Sequence, residues 1–343
     1  MKAAFLVSAR KIVIEEISMP QVKEDEVLVR IKSVGICGSD VHYFKEGRIG
    51  DQIIKGKFIL GHEASGEVVD TGKKVKKFKG GERVFIEPGI SCGRCEFCIR
   101  GKPNLCPSVK FLGTPPVMGA MAEYVVMPES NLIEIPKELT YDEGILAEPL
   151  AIGIYGVSLS GLIVGDEVAI LGAGPIGLSV LFACKSGGAS KILVTELIKE
   201  RARAAEILGA DAVFLADKTD ATNEILKGTG LRGVDVSYEC AGKPETCNQA
   251  IATSRIGGKA VIFGIPAEDK ICLDPHLMRK KELTLYNVRR SAFTTKISLD
   301  LMAKKQIDFS SIITHRFPLG KYEDALTMVS EYREGVIKAV VNL

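Results

Sequence analysis

The 343-residue sequence has no appreciable excess of either charge. Lys plus Arg number 45 against 43 Asp plus Glu, a net of +2, so there is no electrostatic footprint for nucleic acid or for an acidic membrane surface. Long apolar runs are missing as well. The longest uncharged stretches, 149–164 and 168–184, fall short of the roughly 20 residues that a membrane span needs, and glycines break both. The apolar start is cut off by Arg10, Lys11 and the Glu15-Glu16 pair, too early for a signal peptide. A cytoplasmic protein with no membrane attachment is expected. No internal repeat or low-complexity tract is visible, and nine cysteines in such a chain do not read as a disulfide framework. With 46% hydrophobic residues the chain can build two cores.

Four of those cysteines fall within fifteen residues. Cys92, Cys95, Cys98 and Cys106 are spaced C-x2-C-x2-C-x7-C, which lets one loop wrap four thiolates around a single ion, as in a closed structural zinc site. An iron–sulfur cluster is the rival, since Pro107 follows the last cysteine, but the bacterial ferredoxin run needs three residues before that cysteine and seven stand here.

A second constellation lies earlier. The stretch 35–43 reads Gly-Ile-Cys-Gly-Ser-Asp-Val-His-Tyr, and Gly61-His62-Glu63 follows some twenty residues on. Cys37, His62 and Glu63 offer a thiolate, an imidazole and a carboxylate, the mixed set of a catalytic zinc that keeps one position open. Taken singly, a Cys before Gly is more often a small buried hydrophobe, and a His-Glu pair is more often a surface salt bridge. Glu148 sits in the apolar segment 145–151. It is either a buried carboxylate in need of a partner or a surface kink before Pro149, and the sequence does not choose.

Short alternating runs up to about residue 85, punctuated by glycine, read as strands of a barrel-like domain. The pattern changes after residue 140. A buried-strand run at 166–171 leads into Gly172-Ala-Gly174-Pro-Ile176-Gly177 and a helix over 178–185. Glu196 closes the next strand, 19 residues beyond Gly177. Strand, glycine loop, helix and distal acid together make the dinucleotide fingerprint, in which the acid accepts the ribose hydroxyls and repels a 2′-phosphate. NAD is therefore expected over NADP, although Lys199 and Arg201 stand close by. Strand and helix then alternate as in a doubly wound parallel sheet, and from about 283 the pattern shifts again.

These motifs resemble the zinc-containing medium-chain dehydrogenases, and most closely their polyol (sorbitol) branch. The likeness spans nearly the whole chain, through residues 35–43, Gly-Arg-Ile-Gly at 47–50, Leu-Gly-His-Glu-Ala-Ser-Gly at 60–66, Ile-Glu-Pro-Gly at 86–89, Glu-Pro-Leu at 148–150, the glycine loop at 172–177 and Thr-His-Arg-Phe-Pro-Leu at 314–319. The resemblance implies an α/β protein. A GroES-like β-barrel catalytic domain would occupy 1–150, with the structural zinc lobe at 88–107. A Rossmann doubly wound parallel sheet would follow over 151–282, and residues 283–343 would return to the catalytic domain.

The resemblance also implies roles. Cys37, His62 and Glu63 would hold the catalytic zinc, with Glu148 on its water or exchanging as ligand, and Cys92, Cys95, Cys98 and Cys106 would hold the structural zinc. Ser39 and His42 match a proton relay, and Tyr43, Phe111, Glu148 and Arg290 match positions lining a polyol site. Cofactor contacts map to Gly172, Gly174, Ile176, Gly177, Glu196, Arg201, Phe263, Gly264, Ile265, Val288, Arg289 and Arg290. The implied activity is oxidation of a polyol's secondary alcohol to a ketose by a homotetramer with two zinc ions per chain and NAD. L-threonine and 2,3-butanediol are the alternative substrates, since bacterial threonine and butanediol dehydrogenases often keep the four-cysteine lobe; Ser291, standing where animal sorbitol dehydrogenases carry an aromatic residue, leaves the exact polyol open. A non-catalytic NAD-binding structural protein is the distant alternative, and it would be expected to have damaged zinc ligands.

Overall fold

A computed structural model describes residues 1–343. The chain divides into two compact units. The first comprises Met1–Glu148, Thr295–Lys305 and Ile313–Leu343, and the second Pro149–Thr294 and Gln306–Ile312.

The first unit is built around the long strand Glu26–Gly35. Val27, Val29, Ile31 and Val34 are all fully buried, and the strand is long enough to serve several partners. Along one edge it pairs with Glu63–Thr71 over nearly its whole length. On the other edge its first half pairs with Tyr124–Pro128 and its last three residues with Lys338–Asn342. All three pairings are antiparallel. The sheet runs in the order Leu132–Glu134, Arg83–Ile86, Glu63–Thr71, Glu26–Gly35, Lys338–Asn342, Ile313–Pro318, so the end of the chain is inserted beside its beginning. The register sets Gly35 opposite Glu63 on one side and opposite Val340 on the other.

The second unit holds a six-stranded sheet in the order Ala212–Leu215, Lys191–Glu196, Glu167–Leu171, Val234–Glu239, Ser254–Ile262, Thr284–Asn287. Every pairing is parallel. Numbered along the chain this is 3-2-1-4-5-6, the doubly wound dinucleotide order. The central strands Glu167–Leu171, Lys191–Glu196 and Val234–Glu239 are buried on both faces, as in a parallel sheet covered by helices on either side. The sequence places the return to the first domain at 283. Thr284–Asn287 instead pairs with Ser254–Ile262 as the sixth strand, and the chain returns only at Thr295. No helix is long and apolar enough to cross a membrane.

Candidate active site

Three segments of the first unit converge on one buried cluster. Cys37 immediately precedes the helix Gly38–Glu46, Glu63 opens the strand Glu63–Thr71, and Glu148 is the second residue of the helix Ala147–Ser160. The ligand atoms of Cys37, His62 and Glu63 all lie within 4.8 Å of one another. Glu148 is 7% exposed, which decides between its two readings: the carboxylate is buried.

Asp40, within the same helix, ties the two loops together. Its carboxylate accepts the Cys37 N–H at 3.0 Å and the Gly61 N–H at 3.1 Å, and it lies 3.7 Å from Nδ1 of His62. Lys338 enters from the far end of the chain. It is 1% exposed, and its ammonium donates to both Glu63 oxygens at 2.7 Å and to the Ile36 carbonyl at 3.2 Å. Neither residue has a role in the sequence reading. Asp40 was visible in the motif at 35–43, and Lys338 had a signal too, as the one charge in the apolar run 336–341.

The electrostatics of this cluster call for a cation. Burial, then Glu63, pushes the Cys37 thiol up to about 12. Burial likewise raises Asp40 and lifts Glu148 well above the ordinary carboxylate range. Burial draws Lys338 down, but Glu63 and Cys37 outweigh it and hold the ammonium above its usual value. Three carboxyls and a thiol thus share one permanent cation. Nδ1 of His62 and Oε2 of Glu148 are buried with no hydrogen-bond partner in the chain, which is costly unless something else supplies one. A divalent ion accounts for both features, and the donor set of sulfur, imidazole nitrogen and carboxylate oxygen fits zinc.

Ser39 hydrogen-bonds the Cys37 side chain and shares the helix Gly38–Glu46 with His42, three residues on. The Phe111 ring lies 5.6 Å from the His62 ring, centroid to centroid. Tyr43 is buried, with its hydroxyl bonded to Gln52 Oε1 at 3.2 Å. Arg290 belongs to the second unit, where its backbone is left-handed at φ +57°.

The four-cysteine loop closes on itself. Its sulfurs lie within 4.8 Å of one another, with Cys95–Cys98 at 3.5 Å and Cys92–Cys98 at 4.0 Å. Four sulfurs placed tetrahedrally at about 2.3 Å from one zinc stand about 3.8 Å apart, so the loop already has the dimensions of its ion. Backbone N–H groups of Arg94 and Cys95 bring the Cys92 thiol down to about 6, which favours the thiolate that a metal takes.

In the second unit, strand Glu167–Leu171 leads through the glycine loop into the helix Pro175–Ser186. Gly172 turns at φ +99°, and a Cβ on Gly177 would fall 1.9 Å from the Gly172 carbonyl oxygen, so both positions require glycine. Glu196 is 8% exposed and is already engaged. Oε2 accepts the Ala173 N–H at 2.7 Å, and Oε1 accepts those of Leu197 and Ile198 at 2.6 and 3.0 Å. A guanidinium nitrogen of Arg201 comes within 3.6 Å of where a Gly174 Cβ would stand. The expected cofactor residues at 263–265 follow the strand Ser254–Ile262. There the Phe263 ring packs onto Gly156, while Ile265 is exposed. Val288 N–H donates to the Ile262 carbonyl at 2.9 Å, and Arg289 is exposed.

Residues 23–137 match the alcohol dehydrogenase GroES-like domain, and residues 175–304 match the zinc-binding dehydrogenase domain. The chain belongs to the zinc-binding dehydrogenases. Among members of this family it is 40% identical to a sorbitol dehydrogenase of Bacillus subtilis, over 99% of this chain and 97% of that one. A solved 2R,3R-butanediol dehydrogenase of Bacillus subtilis superposes with a TM-score of 0.90 at 34% identity, covering 100% of this chain and 99% of that one. A zinc-binding dehydrogenase of Sinorhizobium meliloti bound to NADP superposes at 0.91 with 33% identity, over 100% and 99% of the two chains. The medium-chain dehydrogenase fold, zinc, a nicotinamide cofactor and oxidoreductase chemistry on a CH–OH group follow for this chain from its family.

Proposed function

We propose that the protein oxidises a secondary hydroxyl of a polyol of the sorbitol or xylitol kind to the ketone and passes the hydride to NAD. The observation that carries the reading is the buried cluster of Cys37, His62, Glu63 and Glu148, with unpartnered atoms on His62 and Glu148. Identity of 40% to a sorbitol dehydrogenase over 99% of this chain supports the substrate class. Zinc held by Cys37, His62 and Glu63 supplies a Lewis acid that makes a hydroxyl acidic near neutral pH, and the nicotinamide supplies the hydride acceptor. Glu148 hydrogen-bonds the reacting hydroxyl, and Phe111 walls the pocket beside His62. Ser39 passes the released proton on, and His42, three residues further along the same helix, delivers it to solvent.

Glu196, poised beside the glycine loop, supports NAD through the ribose hydroxyls. The cysteine loop holds a second zinc in a purely structural role. A vicinal diol is the second reading, favoured by the likeness to a butanediol dehydrogenase. Initial rates on sorbitol, xylitol, 2,3-butanediol and L-threonine, each with NAD and NADP, decide between them. The polyols with NAD are expected to show the highest kcat/KM, and a preference for butanediol or threonine overturns the polyol reading. Metal analysis should find two zinc ions, with mild chelation abolishing activity and leaving about one ion per chain.

A further inference from the structure

The zinc chemistry described above has no need of a buried ammonium, yet Lys338 is placed at its centre. Taking an ammonium out of water is costly unless its donors are satisfied. Here all three find acceptors, in the two oxygens of Glu63 and the carbonyl of Ile36. The carboxylate is confined on its other side too, because Oε2 lies over the bare Cα of Gly35, 2.1 Å from where a Cβ would stand. Glu63 is thus held between an ammonium and a glycine floor. Its sequence neighbour His62 and the thiol of Cys37 lie within ligand distance of one another.

The charges give this clamp a consequence. Of the cluster's three carboxyls Lys338 hydrogen-bonds that of Glu63, so its positive charge offsets the negative charge of that ligand most directly. An ammonium that hydrogen-bonds both oxygens also draws on the lone pairs that Glu63 would otherwise give to a metal.

Resting on the zinc reading above, we propose that Lys338 is a positioning residue that weakens and orients Glu63 as a metal ligand, keeping one coordination position exchangeable for the substrate hydroxyl. Without Lys338, Glu63 becomes a full-strength ligand able to engage the ion with both oxygens. The ion is then held more tightly and the open position closes.

The test uses the full-length enzyme with cobalt substituted at the catalytic site, comparing wild type, Lys338→Met and Lys338→Arg. Partners behind a metal ligand typically change metal affinity 10- to 100-fold, so chelator extraction of the catalytic ion should slow about tenfold or more in Lys338→Met. Its visible cobalt bands should weaken as the coordination number rises, and kcat should fall more than KM changes. Lys338→Arg should restore most of all three. Unchanged extraction and an unchanged cobalt spectrum in Lys338→Met would overturn the proposal, and so would faster loss of the ion. If Lys338→Met does not fold, Glu63→Gln and the double variant Glu63→Gln/Lys338→Met decide the matter. They should release metal at the same rate if Lys338 acts only through Glu63, and different rates refute that. A wild-type chain that binds no ion at Cys37 and His62 would instead refute the zinc reading itself.

Discussion

Replacing Gly35 by alanine tests the clamped carboxylate from the side opposite Lys338. The new Cβ would stand 2.1 Å from Oε2 of Glu63, 2.9 Å from Cδ1 of Ile145 and 3.2 Å from Cβ of Glu63, whereas ordinary contacts begin near 3.4 Å. The carboxylate must therefore retreat by more than one ångström, and its two 2.7 Å bonds to Lys338 cannot both survive that shift. Overpacking a tight site costs about 1–3 kcal/mol, and a lost hydrogen bond to a charged group costs about 1.5–3 kcal/mol. A few kcal/mol in a chain of 343 residues lowers the thermal midpoint by about 3–8 °C. Moving the Glu63 carboxylate disturbs the ligand geometry it shares with Cys37 and His62, so the catalytic ion should be lost during gel filtration while the cysteine loop keeps its own. The assay is zinc per chain together with the melting midpoint, and Gly320→Ala is the control, since a Cβ there meets nothing within 4 Å. A Gly35→Ala protein with two zinc ions, normal turnover and an unshifted midpoint would refute the claim that Glu63 is sterically fixed.

Three further outcomes are expected. Glu148→Gln keeps the volume and removes the ionisable carboxyl, so kcat should fall on the order of a hundredfold with zinc and cofactor still bound. Near-normal turnover with lowered stability would assign Glu148 to the scaffold. Glu196→Ala removes the acceptor of three backbone N–H groups as well as the proposed ribose contact. Binding of both cofactors should weaken, NAD more than NADP, and the midpoint should drop, whereas a pure change in cofactor preference with no loss of stability would show that these bonds do not hold the glycine loop. Asp235 gives a pH dependence. Burial opposes its ionisation, but Arg232, the Glu167 N–H and Arg255 together bring it to about 2. Because the folded value lies below the unfolded one of about 3.9, its contribution is whole above about pH 4 and is lost as pH falls towards 2. The midpoint gap between wild type and Asp235→Asn should close across that interval, and a gap constant down to pH 2.5 would contradict the assignment.

The sequence makes legible what is encoded locally. The four-cysteine spacing and the glycine loop each lie within one loop or one strand–turn–helix, where residue spacing is nearly the same thing as geometry. The three ligand types of the second cluster could also be named, because Cys37 and the pair His62-Glu63 each sit in a glycine-flanked turn. What could not be read was which side chains stand behind them. Lys338 meets Glu63 across 275 positions of sequence, and only the strand order that seats Lys338–Asn342 beside Glu26–Gly35 brings the two together. Glu148 was undecidable for a related reason, since its surroundings come from other segments of the unit. The boundary at 283 was misplaced because a short edge strand, Thr284–Asn287, carries little periodicity of its own. Glu196 was read as a ligand contact alone, and its three bonds to the backbone, one of them to the glycine loop, have no sequence signature.

The seat of Lys338 also fixes a timetable. Residues 1–148 leave the ribosome long before the strand that completes their sheet, because the entire second unit is encoded between them. At roughly 5–20 residues per second, that interval lasts on the order of ten seconds or more. Throughout it the last residues of Glu26–Gly35 have no partner on the edge that Lys338–Asn342 will occupy, and Glu63 has no ammonium. An ion captured early by Cys37 and His62 would meet a carboxylate of undiminished charge, and the arrival of the last strand would then loosen that grip. In this chain the catalytic centre is the last part of the first unit to be finished, and the cofactor sheet is synthesised before it.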